Sequence, residues 1–310
     1  MGLSYLFARA ADTIADSDLI DIERRSHYLK SFRRQFDFDQ SDRTEIQAIQ
    51  SALAPAQHHS AERVLLQRLG DCFDVYSRFS QGDREQIRVL MKTLPNGMAM
   101  DLDRFASGSA SAPAALDSMK ELDEYTYYVA GCVGEFWTRM VCAHRAAMAG
   151  WDVDRMSAVG VRFGKGLQLT NILKDLARDL QRGRCYIPRV LLNEAGLSPA
   201  DLLTQSNLAR FRPILLQLAR LTVEHLDQGW AYTMAIPRLE IRQRLACMWP
   251  ILLAGETLKR VTASSSLLDP SVNIKAPRNV VYRVLSLTVL TGGCGHVGSA
   301  YWGRVRKQIV

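Results

Sequence analysis

Little in these 310 residues interrupts a helix: glycine and proline number only 20 and 10. Long segments run between such breakers, which disfavours a many-stranded β fold. The six cysteines, Cys72, Cys132, Cys142, Cys185, Cys247 and Cys294, are scattered with no CxxC pair. That excludes a disulfide framework or zinc site and suits reduced thiols in a reducing compartment. No stretch reaches the roughly 18 uninterrupted apolar residues of a membrane span. The best run, 280–290, is broken by Arg283. The N-terminal MGLSYLFARAADTIAD lacks the basic start of a signal peptide and runs directly into acidic residues. No GxGxxG fingerprint, P-loop or GxSxG elbow is present. His27, His58, His59, His144, His225 and His296 have no metal-ligand spacing and receive no role.

What is present is a chain of 47% hydrophobic residues with a net charge of +7. That is enough apolar material for a sizeable core. A basic balance suits anionic partners, but no Lys/Arg run with interleaved aromatics marks a nucleic-acid surface. Periodicity predicts helices over 3–16, 19–36, 42–53, 61–78, 83–92, 114–149, 152–180, 208–235, 241–263 and 278–289. Breaks fall at Leu94-Pro95-Asn96-Gly97, 107–113, Arg182-Gly183 and 263–270. With no repeat and no linker, the expectation is one all-α domain over 1–310.

Two carboxylate pairs stand out. Asp12 and Asp16 are four apart in ARAADTIAD, and Asp175 and Asp179 are four apart in QLTNILKDLARDLQRGRCYIP. Residues at this spacing are neighbours on a helix. Two such pairs facing each other make a hard-oxygen site for Mg²⁺, which is held by one or two carboxylates, waters and substrate phosphates. An acidic pair alone is more often a solvated face. Here Ala8, Ala10, Ala11, Ile14 and Ala15 surround the first pair. A packed face would penalise uncompensated carboxylates unless a cation joined them. A structural pair between Arg9 and Asp12 is the competing account. Gln168, Asn171 and Asp175 form one polar stripe, with Lys174 near it. Arg182 and Arg184 follow at the helix exit, where they suit diphosphate oxygens or simply offset the helix dipole.

In YTYYVAGCVG, Gly131 and Gly134 each cost a helix about 1 kcal/mol against alanine. They therefore mark close approach by another helix or a ligand. Tyr125, Tyr127 and Tyr128 bring π faces and hydroxyls, although aromatic core filling explains two of the three.

Together the blocks YLFARAADTIAD, EYTYYVAGCVGEF and LQLTNILKDLARDLQRGRCYIP resemble the squalene/phytoene synthase family of head-to-head prenyl transferases. The resemblance spans nearly the whole chain. It implies an all-α isoprenoid-synthase helical bundle with a central cavity, in which Mg²⁺ and prenyl diphosphates meet. By motif, Asp12, Asp16, Asp175 and Asp179 resemble the metal carboxylates, and Tyr125 the catalytic tyrosine. Tyr5, Arg9, Gln168, Asn171, Lys174 and Arg184 resemble substrate-binding residues. Val129 and Val133 would line the prenyl channel, and LACMWP (245–250) the later cavity helix. Lys275 and Arg278 fall in the basic segment expected to meet NADPH.

The pattern is most similar to the bacterial squalene synthases. It implies that two farnesyl diphosphates condense through presqualene diphosphate, followed by reduction with NADPH to squalene. Dehydrosqualene, presqualene diphosphate and phytoene remain open as products, and so does a non-catalytic all-α binding protein. The implied location is cytoplasmic, with peripheral contact at the inner membrane surface because the product is a hydrocarbon. The oligomeric state is left open. Two departures accompany the resemblance. The family's Ser-Arg-Ser/Thr-Phe segment is missing before residue 1. Arg178 stands where many relatives carry an acid, and is expected to weaken Mg²⁺ occupancy if it points inward.

Overall fold

Helical spacing of apolar residues becomes helix almost throughout. The structure, a computed structural model, describes residues 1–17, 20–37, 41–55 and 57–309. Its chain separates into two compact units, Met1–Ala106 and Ser107–Val310.

The first unit contains α1 (Gly2–Ala15), α2 (Ile22–Arg34), α3 (Arg43–Leu53), α4 (Ser60–Gln67), α5 (Leu69–Ser77) and α6 (Gln81–Arg104). Asp21 caps α2 by accepting from the Arg24 amide at 2.8 Å, and Asp42 does the same for α3 through the Thr44 amide. This sets the start of α2 later than the expected residue 19; Leu19 itself lies outside the described residues. The core is aromatic. Phe7, Phe32, Phe36, Phe73 and Tyr76 pack in tilted and edge-on pairs with centroids 4.8 to 6.3 Å apart.

Two expectations fail here. The helix expected over 61–78 divides at Arg68, whose backbone leaves the helical region. The division lets α4 and α5 each pack on both α1 and α3. The break expected at 94–97 does not occur, and α6 runs through Pro95 to Arg104. Met91, Leu94, Pro95, Met98 and Leu102 are all buried on one side of α6, so packing outweighs the hydrogen bond that proline removes.

The second unit contains β1 (Ala114–Ala115), α7 (Met119–Thr126), a π-helical turn (Tyr127–Gly131), α8 (Cys132–His144) and α9 (Val153–Gln181). Then follow β2 (Arg184–Cys185), α10 (Arg189–Glu194), α11 (Leu208–Ala235), α12 (Ile241–Ala263), α13 (Arg278–Leu290) and α14 (Gly295–Arg306). The helix expected over 114–149 is thus interrupted. Residues 114 and 115 pair in parallel with Arg184 and Cys185, and Ser118 caps α7 through the Glu121 amide at 3.2 Å. The long α9 is the axis of this unit, packed by α8, α11 and α12. Gly134 of α8 meets α9 backbone to backbone: a Cβ there would lie 1.9 Å from the Gly160 carbonyl oxygen. The glycines read as marks of close approach therefore admit a helix. Leu245, Cys247 and Met248 of LACMWP are buried in α12, and Trp249 donates to Thr288 of α13 at 2.8 Å. All six cysteines are free. No helix of the described residues is long and apolar enough to cross a membrane.

His225 of α11 is buried and accepts from Arg162 Nε at 3.1 Å. Burial, then the charges of Arg162 and Lys165, push it down to about 4, against a smaller opposite pull from Asp123. Between that value and its ordinary 6.5, the unfolded chain binds a proton that the folded chain refuses. Stability must therefore fall as pH drops through this window. His225→Gln is expected to flatten that slope, read as urea midpoints at the two ends of the window. An unchanged slope would remove His225 as its source.

Candidate active site

In the first unit, α1 buries Phe7, Ala10, Ala11, Ile14 and Ala15. Its carboxylate pair lies off that face: Asp16 is exposed, and the Asp12 side chain retains 47% of its exposure. This corrects the expectation that both carboxylates sit in a packed surface. Protein still crowds Asp12 closely. That crowding, then the Asp16 charge, pushes it up to about 6, with Arg9 acting against the rise and Glu62 adding to it. Arg9 lies 3.8 Å from Asp12 but bonds directly to Glu62 on α4. Its main partner is therefore Glu62 and not Asp12. Glu62 is a site neighbour the sequence reading missed, since no local signal links residues 53 apart. Tyr5 is exposed one turn earlier on α1. The cluster sets one cation against three carboxylates.

In the second unit, α9 carries Gln168, Asn171, Lys174, Asp175 and Asp179. Lys174 reaches Asn171 at 3.3 Å and the Asp175 Oδ2 at 3.1 Å. Arg178 donates to the other oxygen, Oδ1. Burial and then Arg178 lower the Lys174 ammonium, while Asp179 opposes this. Asp179 is pushed up to about 6 by burial, even though Arg182, Arg184, Arg178 and Lys174 all pull it down. Gly183 adopts φ +78°, a left-handed turn that glycine takes without strain. The turn returns the chain so that β2 and Arg184 follow beside Asp179. One turn before Gln168, Lys165 pairs with Asp123 at 2.6 Å and lies over the Tyr127 ring at 5.9 Å. The i−3 spacing to Gln168 was the available signal for extending the stripe to Lys165.

Tyr125 ends α7. It is buried and stacked on Tyr186 with centroids 4.8 Å apart. Val129 lies half-buried in the π-helical turn, and Val133 is exposed in the first turn of α8. A π-helical turn of this kind recurs at functional sites. Lys275 and Arg278 are exposed around Pro277, where the chain enters α13.

Among the described residues no cluster of three or more His, Cys, Asp or Glu forms a closed metal cage. Each of α1 and α9 instead offers two carboxylates, which fits Mg²⁺ completed by waters and phosphates. The fit is better on α1, where the acids outnumber the cation, than on Asp175, which already has cations on both oxygens. For a nicotinamide dinucleotide, the exposed Lys275 and Arg278 supply charge for phosphates alone and do not by themselves fit the group.

The sequence profile of the squalene/phytoene synthases matches residues 1–278. A bifunctional lycopene cyclase/phytoene synthase of Arthroderma gypseum is 28% identical over 74% of this chain, and a squalene synthase of Schizosaccharomyces pombe is 22% identical over 87%. The chain spans 36% and 55% of those two proteins' lengths. Among solved structures, TcSQS in complex with E5700 has a TM-score of 0.74 at 18% identity, covering 99% of this chain and 87% of that one. A dehydrosqualene synthase in complex with a ligand has a TM-score of 0.55 at 20% identity, covering 92% of this chain and 84% of that one. These likenesses show an all-α isoprenoid-synthase fold. With the profile running through both carboxylate motifs and the tyrosine block, the chain belongs to the squalene/phytoene synthase family of prenyl-transferring enzymes.

Proposed function

We propose that this protein is a squalene synthase that joins two farnesyl diphosphates head to head. The observation that carries the reading is the presence of a carboxylate-rich α1 and of a polar, cation-bearing α9 in a chain of this family.

Asp12 and Asp16 on α1 would hold Mg²⁺, and Asp175 and Asp179 are the carboxylates of α9. The metal's contribution when bound is Lewis-acid neutralisation of diphosphate charge. Lys174 and Arg184 of the second unit, and Arg9 and Tyr5 on α1, are the groups that meet diphosphate oxygens, and Gln168 and Asn171 extend the polar stripe of α9. As the allylic C–O bond breaks, its electron pair leaves with the diphosphate, and these cations stabilise the growing charge. The double bond of the second substrate attacks the allylic cation. Tyr125, held by its stack on Tyr186, presents a π face to that cation. The proton lost on closing the cyclopropane passes to released diphosphate, or to the Tyr125 oxygen once that phenol has given its own proton to the departing diphosphate. Val129 and Val133 line the prenyl chain and exclude water, which would otherwise capture the cation.

Product identity tests the reading. The protein is incubated with farnesyl diphosphate and Mg²⁺, with and without NADPH, and products are separated by mass. Squalene only with NADPH is the expected result. Presqualene diphosphate or dehydrosqualene in both conditions would reassign it to a non-reducing relative, and phytoene from geranylgeranyl diphosphate alone would change the chain length.

Metal binding has its own readout. Asp12, raised to about 6, favours the fold while protonated and opposes it once ionised. A bound divalent cation reverses that balance. Mg²⁺ is therefore expected to raise the thermal midpoint near pH 8 and to have almost no effect near pH 5. An equal rise at both would remove Asp12 as a metal ligand.

A further inference from the structure

The two carboxylate pairs share a spacing but not an electrostatic setting. On α1, Arg9 is committed to Glu62, which leaves Asp12 and Asp16 in an acidic cluster. On α9 the balance is reversed: Lys174, Arg178, Arg182 and Arg184 surround Asp175 and Asp179. The contact at Asp175 is the decisive detail. Lys174 takes Oδ2 and Arg178 takes Oδ1, so each carboxylate oxygen already faces a side-chain cation. These head groups are not sealed in the interior. Side-chain exposure is 24% for Lys174, 25% for Asp175 and 48% for Arg178.

We propose that α9 grips diphosphate with fixed cations, Lys174 and Arg178 seated on Asp175 where a metal ion would otherwise sit, while the divalent metal serves Asp12 and Asp16 on α1. The inference rests on the diphosphate reading above and deepens it. A Mg²⁺ ion on Asp175 would have to displace one cation and remain a few ångströms from the other, a repulsion that water at these partly exposed groups screens only in part. A diphosphate meets the reverse situation. Its oxygens accept from the Arg178 fork and the Lys174 ammonium without any ion being recruited. Asp175 then acts as a positioning residue: it holds both cations in place and lowers their mutual repulsion. The same pair, seen only as a surface contact three residues apart on a helix, would contribute little to stability. Its use is in binding.

The test is calorimetric titration of inorganic pyrophosphate into the intact protein, in EDTA and in Mg²⁺. Wild type is expected to bind in EDTA and more tightly with Mg²⁺. Arg178→Gln should weaken the metal-free affinity about tenfold or more, and Arg178→Lys should restore part of it. Asp12→Asn should remove the gain from Mg²⁺ and leave metal-free binding in place. Helix content by circular dichroism confirms that each variant is folded. Wild-type binding that requires Mg²⁺ and ignores Arg178→Gln would overturn the inference and leave the diphosphate reading intact. Tighter Mg²⁺-supported binding by Arg178→Glu than by wild type would also overturn it, by showing that Arg178 only excludes a metal. No pyrophosphate binding in either condition would overturn the diphosphate reading itself.

Discussion

Asp12→Asn is expected to slow release of diphosphate from farnesyl diphosphate on the order of a thousandfold, with helix content unchanged. The size follows from what the carboxylate does in the proposal: it fixes the cation that neutralises the leaving group, and amide oxygen is a poor substitute for that charge. The folded state should tolerate the change well. Asp12 is half-exposed and its hydrogen-bonding load is light, since Arg9 is held by Glu62. Its raised value near 6 also means that the ionised form opposes folding at neutral pH in the metal-free protein. The variant should therefore unfold at the same temperature as wild type or slightly higher without metal, and should lose the rise that Mg²⁺ gives wild type. Turnover and midpoint would thus move in different directions, which a general structural defect cannot produce. Turnover within a few-fold of wild type would end the assignment of Asp12.

What the sequence revealed here follows from range. The bounds of α11, 208–235, and α12, 241–263, were legible because each is a continuous 3.6-residue pattern with breaks at both ends. Both carboxylate pairs were legible because spacing along one helix suffices to place them. Pro95 was misleading: a proline-glycine cluster looks like a loop locally, and only the burial of its neighbours on α6 keeps the helix going. The helix α14 was missed because its glycines weaken the pattern. Gly298 instead seats against Trp230, and Trp302 donates to Asp227 at 2.8 Å. Glu62 on Arg9 and the stack of Tyr186 on Tyr125 were out of reach for the same reason, as each partner lies more than fifty residues away in sequence. Arg178 is the instructive middle case. Its presence in the second motif was visible, but its seat on the free oxygen of Asp175 was not, and that seat turns an anomaly in a metal motif into a candidate phosphate ligand.

The second large effect concerns the packing that presents α9. Gly134→Val is expected to destabilise the protein by about 3 kcal/mol or more, or to prevent folding. A Cβ at this position would lie 1.9 Å from the Gly160 carbonyl oxygen and 2.4 Å from its carbon. Those atoms are backbone in the middle of α9, so no side-chain rotation relieves the clash and the two helices must separate. Separation also uncouples a second contact, since a Cβ on Gly164 would lie 2.2 Å from the Ala130 carbonyl oxygen in the π-helical turn. Gly134→Ala gives the graded version and should remain soluble enough for urea titration. Gly70→Ala in α5 is the control, because nothing lies within 4 Å of its added Cβ and alanine favours helix by up to about 1 kcal/mol. The two alanine variants should therefore shift the urea midpoint in opposite directions. If Gly134→Ala were as harmless as Gly70→Ala, α8 and α9 could not be packed backbone to backbone, and the placement of Gln168, Asn171 and Asp175 further along α9 would lose its support.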